Sequence, residues 1–588
     1  MTAVCAVRRI VVATALLVAC GSTLGEQLAP ANLASGVPTG TDRLPVASRQ
    51  FMVVAAHPLA VDAGYRILRR GGTAVDAAIA VQLVLNLVEP QSSGIGGGAF
   101  MLVHDAKHSK LTAYDGRETA PAAARPDRFL GLDGRPVEFF DAVVGGKSVG
   151  VPGTVALLAA AHRRYGKLPW ASLFAPAIDL ARNGFPVSAR LHATLAREPF
   201  LTQPRARAYF YNADGSPRAA GTLLRNPAFA ATLQRLAAGG SAAFYAGTIA
   251  QDVVDTANTS VVNPGDLTLA DLAGYRVKVR EPVCGGYRRY RVCGMPLPSS
   301  GGLTVLQMLR MLERYDVGAM GPVTLWSVHF ISEAGRLAYA DREVYMADPD
   351  FYTAPTGLLD DEYLAGRAQL IRVDESLGRA EPGTPPVPAK QKQIGYGAHR
   401  ALELPSTSHI SIVDRHGNAV AMTTTIENAF GSRLMTDGGF LLNNELTDFS
   451  FAPIENGKPV ANRVEGGKRP RSSMAPTIVY DANGRVFMVT GSMFGPTIPN
   501  QVLKTLVAVI DWGLDPQAAV ALPNFGSRNG PTELERGTAA AALAPKLDAL
   551  GHQTVLTGSY GGAQVIVRTR TGWVGGSDPR RDGVARGD

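Results

Sequence analysis

Apolar and polar positions follow a helical period over Ala60–Leu87, interrupted at Arg70-Gly71-Gly72 and resuming through Ala74-Val75-Asp76-Ala77-Ala78. Short runs at Phe100–His104 and Leu111–Tyr114 predict strands. Pro152–Tyr165 and Leu173–Asn183 predict helices, the first with a proline at an early position and the second stopping near Gly184. Val277–Met295 reads as β-rich. Periodicity fades from Val373. The stretch Val373–Leu404, with its run Glu381-Pro382-Gly383-Thr384-Pro385-Pro386-Val387-Pro388, predicts an exposed segment. Pro30–Ser48, rich in Ala, Gly, Pro, Ser and Thr, predicts a flexible lead-in, and no internal repeat is found.

The most informative pattern follows the exposed segment. Ser408–Asp414 and Ala419–Ile426 both alternate toward strands, with Arg415-His416-Gly417-Asn418 as a turn signal between them. A three-residue loop with Gly417 in the left-handed position pairs Asp414 with Asn418. Counting outward from that pair sets Thr407 opposite Thr425, within side-chain contact. An internal threonine hydroxyl is a poor nucleophile. At a free N-terminus it gains its own α-amine as a base, with an ordinary pKa of about 7.7–8.0, suited to neutral pH. The β-methyl also restricts χ1. Attack of the Thr407 hydroxyl on the Ser406 carbonyl, followed by ester hydrolysis, would create such a terminus. Taken alone, Thr-Ser-His at a strand start is ordinarily just a strand.

Bulk properties narrow the remaining choices. The 588 residues are 46% hydrophobic and 18% charged, an ordinary globular balance, and length alone suggests about three to four domains at ~150 residues each. The net charge of +8 is scattered, with Arg288-Arg289-Tyr290-Arg291 and Lys468-Arg469-Pro470-Arg471 as the densest clusters, which speaks against nucleic-acid binding. Arg8-Arg9 before the apolar run Ile10–Ala19 predicts an export signal, too short to span a bilayer. Leu17-Val18-Ala19-Cys20 resembles a bacterial lipoprotein processing box, so the signal ends either in lipidation at Cys20 or in ordinary cleavage nearby. The expected location is the bacterial periplasm, with lipid anchoring or secretion as variants. Of four cysteines, Cys5 and Cys20 fall in the signal. Cys284 and Cys293 either bridge a hairpin or stay as buried thiols.

Three other signals are set aside. Gly94-Ile95-Gly96-Gly97-Gly98-Ala99 fits a dinucleotide fingerprint, but a strand rather than a helix follows it. Gly146-Lys147-Ser148-Val149-Gly150 fits a nucleophile elbow, but no His and acid partner can be chosen for it. His104 and His108 have helical ligand spacing but fall in a turn region. With no His-Glu-x-x-His or Cys-x-x-Cys, neither a catalytic metal nor a cofactor is expected.

Thr407-Ser408-His409-Ile410-Ser411-Ile412-Val413-Asp414 with Gly417-Asn418-Ala419-Val420-Ala421 resembles the small-subunit start of the γ-glutamyltranspeptidases (glutathione hydrolases). Further matches follow in family order. They include Glu89-Pro90-Gln91-Ser92-Ser93-Gly94-Ile95-Gly96-Gly97-Gly98, Gly116-Arg117-Glu118, Val151-Pro152-Gly153-Thr154 and Met295–Gly302. Tyr339-Ala340-Asp341-Arg342, Leu442–Phe449, Arg471-Ser472-Ser473-Met474 and Gly576-Ser577-Asp578-Pro579-Arg580 complete them. The likeness runs from about Val54 to Arg581.

The resemblance implies an α/β (α+β) fold, the four-layer αββα sandwich of the N-terminal-nucleophile hydrolases. It implies a precursor with residues 1–20 as signal, 21–48 as lead-in, 49–406 as large subunit and 407–588 as small subunit, the last two forming one intertwined domain. It makes Thr407 the nucleophile and Thr425 the hydroxyl that orients it. Arg117 would grip the glutamyl α-carboxylate, as a guanidinium fork suits a carboxylate. Ser472 and Ser473 would add hydrogen bonds to that carboxylate, and Glu445 and Asp448 would bind the α-ammonium. The implied substrates are glutathione and other γ-glutamyl compounds, with water, amino acids or dipeptides as acceptors. Three departures stand out. Glu427 replaces a residue that is often uncharged in the family. Gly491-Ser492-Met493-Phe494-Gly495 replaces a Gly-Ser-Pro-Gly-Gly whose two glycines would supply N–H groups to the oxyanion, so Phe494 and Gly495 inherit that role. No tyrosine lies between Phe449 and Arg471, where some relatives carry a lid tyrosine. The rival readings are an acylase for glutaryl-type amides, which lack the ammonium, and a glutamyl-binding protein without turnover.

Overall fold

The computed structural model describes residues 43–387, 395–399 and 406–588. The signal region, Cys20 and most of the lead-in lie outside the described residues. Two seven-stranded antiparallel sheets dominate. The first runs, edge to edge, through Val584–Gly587, Met52–Ala55, Ser408–Val413, Ala419–Thr425, Gly98–Asp105, Lys110–Gly116 and Lys278–Arg280. The second runs through Val46–Ser48, Trp573–Ser577, Gln564–Arg568, Val486–Gly491, Thr477–Tyr480, Tyr290–Gly294 and Val283–Tyr287.

Two-residue periodicity explains the layering. Successive side chains of a strand face opposite sides of the sheet. Val53, Ala55, Met101, Val103, Ile410, Ile412, Val420 and Met422 join a core with helices Pro58–Arg69 and Ala74–Val88. Their neighbours Met52, Val54, Phe100, Leu102, Ala419 and Ala421 join a second core with the other sheet and with helices Gly301–Leu312, Leu325–Tyr345 and Ile498–Ile510. A sheet apolar on both faces must be an inner layer. The layers therefore run helix, sheet, sheet, helix, which is the αββα sandwich. The several domains suggested by length are absent because both ends of the chain share each sheet. Val584–Gly587 pairs with Met52–Ala55, and Val46–Ser48 pairs with Trp573–Ser577.

Local signals account for many boundaries. The Arg70–Gly72 break is a turn with Gly71 at φ 85°, and a Thr73/Asp76 capping box restarts the helix. The second early helix covers Ala175–Asn183 and stops at Gly184, φ 98°. Val277–Met295 holds three strands, and a disulfide joins Cys284 to Cys293 directly across the last two. The segment from Val373 onward, where described, is largely exposed but pinned. Pro386 O accepts from Gly357 N at 3.1 Å, Gly383 N donates to Asp341, and Arg367 donates to Glu381 O. Among the described residues no helix is long and apolar enough to cross a membrane.

Candidate active site

The hairpin forms with the expected register. Asp414 N donates to Asn418 O at 3.0 Å, Gly417 sits at φ 85°, and pairing runs from Val413 opposite Ala419 to Ser408 opposite Thr424. One further step sets Thr407 beside Thr425. The Asp414 carboxylate fastens the closed end by accepting from His416 N, Asn418 N and Ala74 N at the start of the long helix. At the open end both threonine hydroxyls converge on one atom. Thr407 Oγ1 donates to the Ser406 carbonyl oxygen at 2.6 Å and Thr425 Oγ1 donates to the same oxygen at 2.7 Å. Thr425 Oγ1 accepts from Glu427 N at 2.9 Å, which turns its own proton toward Ser406. The glycine run Gly94–Gly98 packs beneath this end. A Cβ on Gly97 would stand 2.1 Å from the Thr425 carbonyl oxygen, and one on Gly96 equally close to that of Leu441. Close backbone approach, rather than a bound phosphate, explains these glycines.

Thr407, Thr425 and Ser406 line a small cavity together with Arg117, Glu427, Glu445 and Asp448. Ser472, Ser473 and Gly495 complete the expected set in its wall. Residues from both sides of position 407 thus meet in one place. Across the uncut Ser406–Thr407 bond the cavity measures about 20 Å³, room for roughly one water. Arg117 is engaged by the site's own acids. It donates to Glu445, to Asp448 Oδ2 at 2.5 Å, and to the carbonyls of Pro470 and Arg471. Ser472 Oγ accepts from Met474 N at 3.1 Å, and Ser473 Oγ accepts from Arg342 at 2.6 Å. The segment from Phe449 to Arg471 is tied to the site by Asn462, which donates to Asp448 O at 2.8 Å and accepts from Arg471 N.

The electrostatics are lopsided. Burial, followed by the neighbouring Asp448 and Glu445, holds the Glu427 carboxyl well above the usual carboxylate range. Burial does the same to Glu445, with Arg117 opposing and Glu118 adding to it. Glu118 is pushed up to about 7, again by burial, against the pull of Arg117. Phe494 takes an unusual backbone for a residue with a Cβ, φ 107° and ψ 45°, and Gly495 follows at φ 56°. Its ring is stacked on Tyr560 with centroids 4.9 Å apart. Gly495 lines the cavity, whereas Phe494 does not.

Other sequence signals fall away from the site. Ser148 is buried and donates to Val143 O and Gly145 O, in no nucleophile elbow. His104 bonds Tyr480 and His108 bonds Asp105. His329, Glu333 and His552 are the group of described residues spaced for a metal. Their atoms are already committed. His329 bonds His552 and Arg372 O, His552 bonds Thr532, and Glu333 pairs with Arg336, whose charge opposes a cation. The residues that sequence reasoning missed are Glu118, Asn444 and Arg342. Glu118 is buried, with its carboxyl against that of Glu445. Asn444 donates to Glu427 and to Thr447. All three lie in stretches that carry the family resemblance, Gly116–Glu118, Leu442–Phe449 and Tyr339–Arg342, but none of those stretches gave them a role.

A family model described as gamma-glutamyltranspeptidase matches residues 60–587. The glutathione hydrolase proenzyme of Bacillus subtilis (strain 168) is 37% identical over 511 residues, covering 85% of each chain. Among solved structures, a cephalosporin acylase from Bacillus halodurans superposes with a TM-score of 0.80 at 29% identity, over 94% of this chain and 98% of its own. A Helicobacter pylori gamma-glutamyltranspeptidase gives 0.53 at 37% identity, over 56% of this chain and 94% of its own. With a family match across nearly the whole length and a relative of this identity, the chain belongs to the γ-glutamyltranspeptidase family.

Proposed function

We propose that this chain is the precursor of an exported γ-glutamyl transferase and hydrolase that cuts itself between Ser406 and Thr407. The observation that carries the reading is the convergence of the Thr407 and Thr425 hydroxyls on the Ser406 carbonyl, in a cavity shared with Arg117 and three carboxyl residues. In the first stage Thr407 Oγ1 attacks the Ser406 carbonyl carbon, and Thr425 donates to the oxygen as charge gathers there. The peptide nitrogen leaves as the Thr407 amine, and water hydrolyses the ester to a Ser406 carboxylate. The products are a large subunit ending at Ser406 and a small subunit beginning at Thr407. Departure of the Ser406 end enlarges the cavity.

In the second stage the new α-amine takes the Thr407 hydroxyl proton, and Oγ1 attacks the γ-carbonyl of a glutamyl amide such as glutathione. Cys-Gly leaves with that proton and the glutamyl group stays as an ester on Thr407. Water, an amino acid or a dipeptide then takes the group. Gly495 N–H, with Phe494 N–H beside it, is assigned to the oxyanion. Arg117, Ser472 and Ser473 are assigned to the α-carboxylate, and Glu427, Glu445 and Asp448 to the α-ammonium. Export by a signal at Arg8–Ala19 would put this work outside the cytoplasm, and lipidation at Cys20 would anchor it there.

The test is direct. Purified protein should give two bands on a denaturing gel, the smaller with the N-terminal sequence Thr-Ser-His-Ile, and should hydrolyse γ-glutamyl p-nitroanilide. Thr407→Ala should remain one band without activity. A single uncut wild-type band, or maturation of the alanine variant, would overturn the reading. Turnover of glutaryl amides with none of γ-glutamyl p-nitroanilide would replace it with the acylase.

A further inference from the structure

The end of the sandwich remote from Thr407 gathers cations that are dispersed along the chain. The catalytic hairpin fixes this end. Its strands run from Ser408 opposite Thr424 to Val413 opposite Ala419, so the 415–418 turn lies about 20 Å from the threonine pair. Beside it stands the 105–110 turn, where Ala106 N donates to Asn418 Oδ1 at 2.9 Å and His104 faces Ala419. Arg415 donates to Leu68 O, which brings in the end of helix Pro58–Arg69. Tyr165 bonds Thr112, which brings in the end of helix Thr154–Tyr165. His104 also bonds Tyr480 of the second sheet at 3.1 Å. The 481–485 turn follows Tyr480 and lies beside the 569–572 turn, with Arg568 donating to Val486 O at 2.6 Å. Arg70, Lys107, Lys110, Arg163, Arg415 and Arg570 are exposed on these turns and helix ends, and none pairs with a carboxylate among the described residues. The acids here are already engaged. Asp105 bonds His108, Asp481 pairs with Arg485, Asp588 accepts from Gln50 N and Phe51 N, and buried Asp414 is spent on N–H groups.

We propose that this basic end is a docking face for an anionic lipid bilayer, holding the protein on the membrane surface with the Thr407 cavity at its far end. The inference goes beyond the glutamyl-transfer reading and does not depend on it. The cations surround an open cleft of about 520 Å³, lined by Lys107, His108, Tyr165 and His416 together with Ala74 and Val75. A cleft of that size has room for a phosphate headgroup, with charge at its rim and apolar wall behind. The face is assembled from separate turns and helix ends. Among the described residues no helix or strand pair projects from it to enter a nucleic-acid groove, so a plane of phosphates is the better match. Each cation held at an anionic surface tightens binding about fivefold, and the attraction dies away within about 10 Å at 0.1 M salt. A chain exported by a signal at Arg8–Ala19 would meet such a bilayer, and docking by charge needs no lipid on Cys20.

The experiment sediments the purified protein with vesicles of phosphatidylcholine alone or with about one third phosphatidylglycerol, at low salt and at about 0.5 M salt. At low salt the wild type should bind the anionic vesicles about 10²-fold or more tighter than the neutral ones, and at high salt that margin should vanish. Lys107→Glu, Lys110→Glu and Arg570→Glu combined in one chain should weaken anionic binding about 10²-fold, at about fivefold per charge, and leave turnover of γ-glutamyl p-nitroanilide as in the wild type. Arg125→Glu, Arg135→Glu and Arg207→Glu alter exposed arginines outside this end, change the net charge equally, and should leave most of the binding in place. Equal loss in the two triple variants, or no wild-type preference for anionic vesicles, overturns the proposal. Tighter binding to duplex DNA than to anionic vesicles of matched phosphate content overturns it in favour of a nucleic acid. If the first triple variant does not fold, hydrogen exchange of the wild type decides. Anionic vesicles should protect the 105–110 and 415–418 turns, and protection elsewhere or none at all overturns the proposal.

Discussion

Thr425 Oγ1 lies 2.7 Å from the Ser406 carbonyl oxygen and donates to it, so a hydrogen-bond donor already stands where negative charge develops if Thr407 attacks. Thr425→Val keeps the shape of the side chain and removes the donor. Self-cleavage should slow by about 10²-fold or more, the scale of losing one oxyanion donor. A time course of band conversion on a denaturing gel measures it. An unchanged rate would leave Thr425 with packing alone.

Gly491 faces the ring of His409, which is held between Thr423 Oγ1 at 2.8 Å and Ser411 Oγ at 3.1 Å. A Cβ on Gly491 would come within 2.2 Å of that ring. Gly491→Ala must therefore push the two sheets apart or turn the imidazole off its partners. Destabilisation of about 1–3 kcal/mol is expected, read as a lower Tm. An unshifted Tm would show that the ring can move freely.

Buried histidines set the acid limit of the fold. Burial lowers His409 from its ordinary 6.5 to about 3, and His104 and His552 to about 4. At these three rings the unfolded chain binds more protons than the folded one from about pH 6.5 down to about 4, whereas at the raised carboxyls of Glu118, Glu427 and Glu445 the folded chain binds more. Stability contributed by these neutral rings is present above that window and is lost as pH falls through it. The urea midpoint should drop between neutral pH and pH about 4.5 by the excess of this loss over the gain at the three carboxyls. A flat midpoint over this range would mean that the carboxyls offset the rings in full.

Phe494 sets backbone strain against packing. Phe494→Gly removes the penalty of a left-handed non-glycine residue, about 1–2 kcal/mol. It also deletes a buried ring stacked on Tyr560, worth about 3–5 kcal/mol. Loss of the ring outweighs relief of the strain, so Tm should fall, by about 2 kcal/mol in stability. A rise in Tm would mean that the strain is the larger effect.

How much of this was legible beforehand depended on the range of the contact. The Thr407–Thr425 pairing follows from a turn glycine and a two-residue period, both local, so counting along the chain was enough. The break at Gly71 and the stop at Gly184 were visible for the same reason. The family motifs gave Arg117 and Glu445 separately. Their direct contact, and the wedging of Glu118 beside it, depend on side chains more than three hundred residues apart and on the desolvation they share. The proline-rich stretch reads as exposed, and most of its described residues 373–387 are. Its anchors on Asp341, Gly357 and Arg367 were invisible because a backbone carbonyl or N–H leaves no mark in the residue type.

The order of strands in the first sheet governs the fate of a chain cut at position 407. Met52–Ala55, before the cut, lies between Ser408–Val413 and Val584–Gly587, both after it. Ala419–Thr425, after the cut, lies against Gly98–Asp105, before it. The two fragments are interleaved like the fingers of folded hands. A severed molecule should hold its two halves for life, never trading them with a neighbour, and halves made in separate cells should have to fold around one another rather than dock.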